Sequence, residues 1–177
     1  MSDTMSDTTT DTPRIYAACL ASYNAGILHG RWIDATDVDC IREEIAAMLS
    51  ESSEPIAEEW AIHDYENFGG LSLSEWPDLD KVAELGELIE EHGAAFAAYA
   101  DNVGVDHATA DGFQEAYCGE YDTERDYAEE LFDELYAHDV PEHIQNYIDY
   151  EAFARDLFMG DNYSIQAESG LYIFRNC

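Results

Sequence analysis

Residues 122–138, DTERDYAEELFDELYAH, limit the possible folds more than any other stretch of this chain. Wound as a helix at about 100° per residue, they place Tyr127, Ala128, Leu131, Phe132 and Leu135 on one side. Asp122, Asp126, Glu129, Glu130, Asp133 and Glu134 fall on the other. One face is core and the other is nearly pure carboxylate. The like-charged i,i+4 pairs 122/126, 126/130, 129/133 and 130/134 each cost such a helix about 0.2–0.5 kcal/mol, or about 1–2 kcal/mol together. Only Arg125 is near enough to offset them, so a helix that retains this repulsion has a use for its negative face. The following stretch, PEHIQNYIDYEAFARDL at 141–157, reads as a second helical segment begun at Pro141. There Ile144, Ile148 and Phe153 are interleaved with Tyr147 and Tyr150, whose rings are expected to be exposed enough to meet a partner.

The charge extends beyond this region. Forty acids against seven bases give a formal net charge of −33, which keeps the chain soluble but opposes compaction by self-repulsion. That balance excludes nucleic acid and anionic membrane surfaces as direct ligands. It leaves a basic protein surface, divalent cations or concentrated salt as partners. Residues 51–157 hold 27 of the 33 net negative charges, a concentration that a uniform carboxylate coat would not show. Apolar residues make up 46% of the chain, enough to bury real cores, so the chain is expected to fold. The cysteines at 19, 40, 118 and 177 form no CxxC pair, which points to reduced thiols and a cytoplasmic protein. The longest apolar run, GAAFAAYA at 93–100, is too short to span a bilayer.

Residues 1–13, with a tandem MSDT, read as a disordered acidic lead-in. Then 15–20 and 27–34 read as two strands of a hairpin joined through the turn residues 22–26. Thr36, with Asp39 three positions on, reads as the start of a helix running to about Leu49 on an apolar face of Ile41, Ile45, Met48 and Leu49. A strand follows over 58–64, in which Trp60, Ile62 and Asp64 alternate with Ala61 and His63. From Phe68 the texture is helical. The segment 76–92 is amphipathic on Val82, Leu85, Leu88 and Ile89, 93–103 is Ala-rich, and a third helix is expected over about 108–117. The chain closes with a hairpin over 163–175. The fold class is therefore α+β. An α+β module over 14–68 precedes a small helical bundle over 69–108 and a C-terminal α+β module over 109–177.

Catalytic and metal-binding patterns find little support. His29, His63, His92, His107, His138 and His143 are scattered, no HExxH occurs, and an EF-hand alignment around Asp111-Gly112 places Cys118 where a bidentate glutamate belongs. No P-loop, GxGxxG or GxSxG is present. Carboxylate pairs such as Asp37/Asp39 and Asp78/Asp80 arise by chance among so many acids, and His63-Asp64 reads as a strand-end histidine held by its neighbour. No catalytic residue, metal site or cofactor is expected.

Three stretches stand out together: YAACLASYNAGILHGRWID near the start, EEWAIHDYENF in the middle and IQNYIDYEAFARDL near the end. In order and spacing they resemble the ArdA antirestriction proteins carried by mobile genetic elements, over roughly residues 14–175. The last block is similar to that family's antirestriction motif, with Ala154 where a glycine is expected before Arg155-Asp156-Leu157. The resemblance implies an elongated chain of three small domains that forms a homodimer through the last one. Its carboxylates would imitate the phosphates of bent duplex DNA, occupy the DNA-binding groove of type I restriction-modification enzymes, and so protect incoming DNA. It also implies that Asn146, Tyr147, Ile148, Tyr150, Phe153, Arg155 and Asp156 lie at or near the dimer contact.

The candidate mimic carboxylates are Glu58, Glu59, Asp64, Glu66, Glu84, Glu87 and Glu91 in the central region, together with the six acids of 122–138 named above. B-DNA carries one charge per about 1.7 Å of axis, whereas carboxylates at i and i+4 on a helix stand about 6 Å apart. One helix is too sparse a mimic, and two or more acidic faces are needed. The competing readings are a salt-adapted acidic enzyme and an acidic chaperone or scaffold for another basic protein.

Overall fold

In the computed structural model, which describes residues 12–168 and 170–176, the fold already includes Thr12 and Pro13. The Pro13 carbonyl accepts the Ala35 N–H at 2.8 Å and the Thr12 hydroxyl reaches Glu90 at 3.3 Å. These two residues, expected in the lead-in, are therefore structured, and positions 1–11 of that lead-in lie outside the described residues. The protein is α+β, with two small antiparallel sheets among the described residues, and divides into two compact units. One reaches to His107 and the other starts at Ala108, so the helices expected as a bundle over 69–108 fall within the first. Among the described residues no helix is long and apolar enough to cross a membrane.

The first unit is built on a sheet ordered β2-β1-β3, with β1 at Arg14–Cys19, β2 at Gly30–Asp34 and β3 at Trp60–Glu66. The expected hairpin forms, from Arg14 opposite Asp34 to Ala18 opposite Gly30. Its connection is not a tight turn, however. A short helix α1 (Leu20–Asn24) replaces it, anchored by fully buried Ser22, whose hydroxyl meets that of Ser52 at 2.8 Å. Ile27 and Leu28, expected in the second strand, consequently lie outside it and are 42% and 88% exposed. The first residue of the strand, Gly30, sits where the chains approach closely, and a Cβ there would meet the Ala17 carbonyl oxygen at 2.5 Å.

β3 also departs from simple alternation. Tyr16 pairs with Asp64 but Ala17 pairs with Ile62, leaving His63 as the extra residue of a bulge. Ala61 and Ile62 are both buried, as are Ala18 and Ala17 paired opposite them, so both faces of the sheet are covered at this point.

Helix α2 (Val38–Ser50) is capped by Asp37 rather than Thr36. The Asp37 carboxylate accepts the N–H groups of Asp39 and Cys40 at 2.9 and 3.2 Å, and its charge also favours the positive end of the helix. Ile41, Ile45 and Met48 are buried beneath it as expected, whereas Leu49, expected on the same face, is half-buried at the last turn. Helix α3 (Leu79–His92), capped by Asp78, buries Val82, Leu85, Leu88 and Ile89, and also Ala83 and Gly86. A Cβ on Gly86 would lie 1.8 Å from the Ala35 carbonyl oxygen, so this helix packs backbone to backbone against the segment after β2. Helix α4 (Ala94–Val103) completes the core with Phe96, Ala97, Tyr99 and Ala100.

The second unit opens with α5 (Ala110–Ala116), whose N-cap Thr109 accepts the Gly112 N–H at 3.1 Å. The helix expected to reach residue 117 gives way there to a strand the sequence reading missed, β4 (Tyr117–Tyr121). It joins the terminal hairpin of β5 (Asn162–Gln166) and β6 (Leu171–Arg175) in the order β4-β6-β5. Phe174 is fully buried between Tyr117 and Tyr163, with ring centroids at 5.4 and 5.2 Å.

Helix α6 spans Glu124–Leu135, shorter than the expected 122–138. Thr123 takes the N-cap by accepting the Asp126 N–H at 3.1 Å, which leaves Asp122 outside the helix. A 3-10 turn over Ala137–Asp139 follows. The single segment expected from Pro141 is two helices, α7 (Glu142–Gln145) and α8 (Tyr150–Gly160). Bonds from Tyr147 N–H to the Ile144 carbonyl and from Ile148 N–H to the Gln145 carbonyl close α7, and Asp149 then caps α8 through the Ala152 N–H at 3.0 Å. An aspartate in the middle of the segment favours a cap over a helix interior.

Candidate partner-binding surface

The exposed carboxylates follow from helical phase. On α3, Asp80, Glu84, Glu87 and Glu91 recur at steps of four, three and four, all exposed and all opposite the buried face. They form one stripe rising about 16 Å along the helix, at 1.5 Å per residue. On α6, Asp126, Glu130 and Asp133 recur at steps of four and three with Glu134 beside them, all exposed, while Tyr127, Ala128 and Phe132 are buried. Leu135, expected in the core, is the last residue of the helix and is 51% exposed. Asp122 is exposed ahead of the helix, and Glu58, Glu59 and Asp64 are exposed along the approach to and the length of β3.

Three of the candidate carboxylates are held by an arginine or lysine of the same chain. Glu66 is half-buried and its Oε1 accepts from both Nε, at 2.7 Å, and Nη2 of Arg14. Glu84 accepts from Lys81 at 3.1 Å, and Glu129 from Arg125 at 2.9 Å. Elsewhere Arg31 binds Glu44 and Glu51, and Arg42 binds Asp80 at 2.7 Å. Five of the seven bases, Arg14, Arg31, Arg42, Lys81 and Arg125, are thus drawn into internal ties. Negative potential also reaches the phenols. Burial, a hydrogen bond to Glu130 and the nearby Glu130 and Glu134 charges push Tyr121 up to about 12. Burial and the Asp133 and Glu129 carboxylates raise Tyr150 as well.

The motif residues divide by exposure. Asn146, Tyr147, Arg155 and Asp156 are exposed, with Tyr147 at 84%. Ile148, Tyr150 and Phe153 are half-buried. Tyr150 and Phe153 turn inward onto Phe132, at 5.7 and 6.4 Å in edge-to-face contacts, so these rings, expected to face a partner, first hold α8 onto α6. Ala154, at the position where a glycine was expected, is buried in mid-helix, and no turn occurs there. Beside Tyr147 the sequence reading missed Tyr136, which with Ile144 and Leu135 adds exposed apolar surface. The signal available was the abrupt end of the apolar phase at the 3-10 turn.

No curated protein matches the chain. A family model for the antirestriction protein ArdA matches residues 15–171, nearly the whole chain and all three of the recognised blocks. The chain therefore belongs to the ArdA family of antirestriction proteins.

Proposed function

We propose that this protein acts as a mimic of duplex DNA, not as a catalyst: it fills the DNA-binding groove of a type I restriction-modification enzyme and blocks it. The observation that carries this reading is the pair of carboxylate stripes on α3 and α6, each exposed along one face and each backed by an apolar core. A groove that grips phosphate by charge and shape, without reading bases, has no means of refusing such a surface. Distributed charge of this kind also steers a basic partner from a distance and makes association fast and salt-sensitive. In the same reading the protein works as a cytoplasmic homodimer, with Tyr147 and its apolar neighbours at the contact and the three-part layout 14–68, 69–108 and 109–177 extending the charged face. Competition tests it. Near-stoichiometric protein should displace duplex DNA from a type I methyltransferase, and an enzyme that keeps its DNA in the presence of excess protein refutes the reading.

A further inference from the structure

An open cleft of about 470 Å³ in the first unit is lined by Leu20, Glu58, Glu59, Trp60 and Trp76. Backbone bonds bring these residues together from three places in the chain. The Leu20 N–H donates to the Glu59 carbonyl at 3.0 Å, fixing the approach to β3 against α1. The Ile62 N–H donates to the Glu75 carbonyl at 2.9 Å, which sets Trp76 beside the same strand. Trp76 is 66% exposed, and neither Glu58 nor Glu59 is in an ion pair among the described residues. An indole exposed to this degree beside two carboxylates meets both requirements of a cation: a π face and a counter-charge.

The same chain shows which cation this combination accepts. Across the sheet the Arg14 guanidinium lies 5.4 Å from the centre of the Trp32 ring while donating to Glu66 at 2.7 Å. Tryptophan and glutamate together hold a planar guanidinium there, and no basic residue lines the second tryptophan–glutamate site. We propose that the Glu58/Glu59/Trp60/Trp76 cleft is a socket for an arginine side chain of the partner protein. The guanidinium stacks on indole and donates to carboxylate, as it does over Trp32. A planar fork suits this site better than a compact ammonium. The inference rests on the proposed function for the identity of the partner, and on the cleft alone for its chemistry. It gives the otherwise diffuse acidic surface one fixed point of contact.

The whole protein, 15N-labelled at its three tryptophans, tests the socket without any enzyme. On titration with N-acetyl-arginine amide, the indole N–H signals of Trp60 and Trp76 should shift along saturable curves while that of Trp32 stays still. N-acetyl-lysine amide at equal concentration and ionic strength should move them much less. Equal shifts at all three indoles, no shift, or equal response to the two amides overturns the proposal. In the DNA-displacement assay, Trp76→Ala and, separately, Glu58→Gln with Glu59→Gln should raise the amount of protein needed by roughly ten-fold. Neutralising two α6 acids, Asp133→Asn with Glu134→Gln, should change it less than about three-fold. Equal effects of the two acid pairs refute the socket. If wild-type protein displaces no DNA, the proposed function falls and the titration alone decides the socket.

Discussion

At the scale of the residue, Gly86 and Tyr121 behave in ways their sequence neighbours do not announce. Gly86→Ala places a methyl against the Ala35 carbonyl oxygen, so α3 must shift away from the segment after β2. Overpacking of this kind should destabilise by about 1–3 kcal/mol, read as a lower urea midpoint with an unchanged slope. Ala154→Gly, which restores the glycine expected of the motif, puts the most flexible residue into the buried interior of α8 and should lower stability by about 1 kcal/mol. Tyr121 carries a pH dependence. Its phenol is raised from 10.0 to about 12 in the fold, so the unfolded chain loses that proton first. Its contribution is therefore complete below pH 10 and is lost as pH rises toward 12. Urea titrations should show a shallower alkaline decline in Tyr121→Phe than in the wild type, and parallel declines would contradict this.

At the scale of the element, α3 and α6 are locally strained by their own charge. Neutralising Asp126, Glu129, Glu130 and Asp133 together removes the three i,i+4 repulsions within the helix, 126/130, 129/133 and 130/134, at about 0.2–0.5 kcal/mol each, but also the Arg125–Glu129 tie. Thermal stability in low salt should hold or rise slightly, while inhibition of a type I enzyme weakens by degrees. A large loss of inhibition from any one of these four changes would indicate a discrete site on α6 instead of a distributed surface. The two aromatic residues of the motif should separate by role. Phe153→Ala removes contacts with Phe132 and Tyr136 and should lower the melting temperature. Tyr147→Ala removes an 84%-exposed ring and should leave melting of the isolated chain alone while shifting sedimentation of the proposed dimer toward monomer. Equal thermal losses from both would refute this division.

At the scale of the whole molecule, the burial pattern bears on salt. The acids lie over continuous apolar cores, Ile15, Ile41, Met48, Leu85 and Phe96 in one unit and Phe113, Phe132, Ile173 and Phe174 in the other. Cores of this kind stabilise the fold without help from molar salt. Circular dichroism should therefore show a folded protein at low ionic strength, and unfolding on dialysis out of salt would favour the salt-adapted reading over mimicry.

Amphipathic phase is a property of neighbouring residues, and so the sequence by itself determined most helices here. The buried faces of α2 and α3, the acidic faces of α3 and α6, and the terminal hairpin all follow from spacing and turn chemistry. Family membership was equally legible, in blocks such as AIHDYE and NYIDYEAFARDL. Only the tertiary structure decided the features that depend on residues distant in sequence. β4 exists because β6 offers it an edge, with Gly119 at φ 120° absorbing the irregular register. The bulge at His63, the helical turn seated on Ser22 and Ser52, and the inward turn of Tyr150 and Phe153 are likewise set by distant partners. The cleft that joins Trp60 to Trp76 across a backbone bond is of the same kind. Periodicity records which way a side chain points along its own element, whereas pairing and packing between elements carry no local signature.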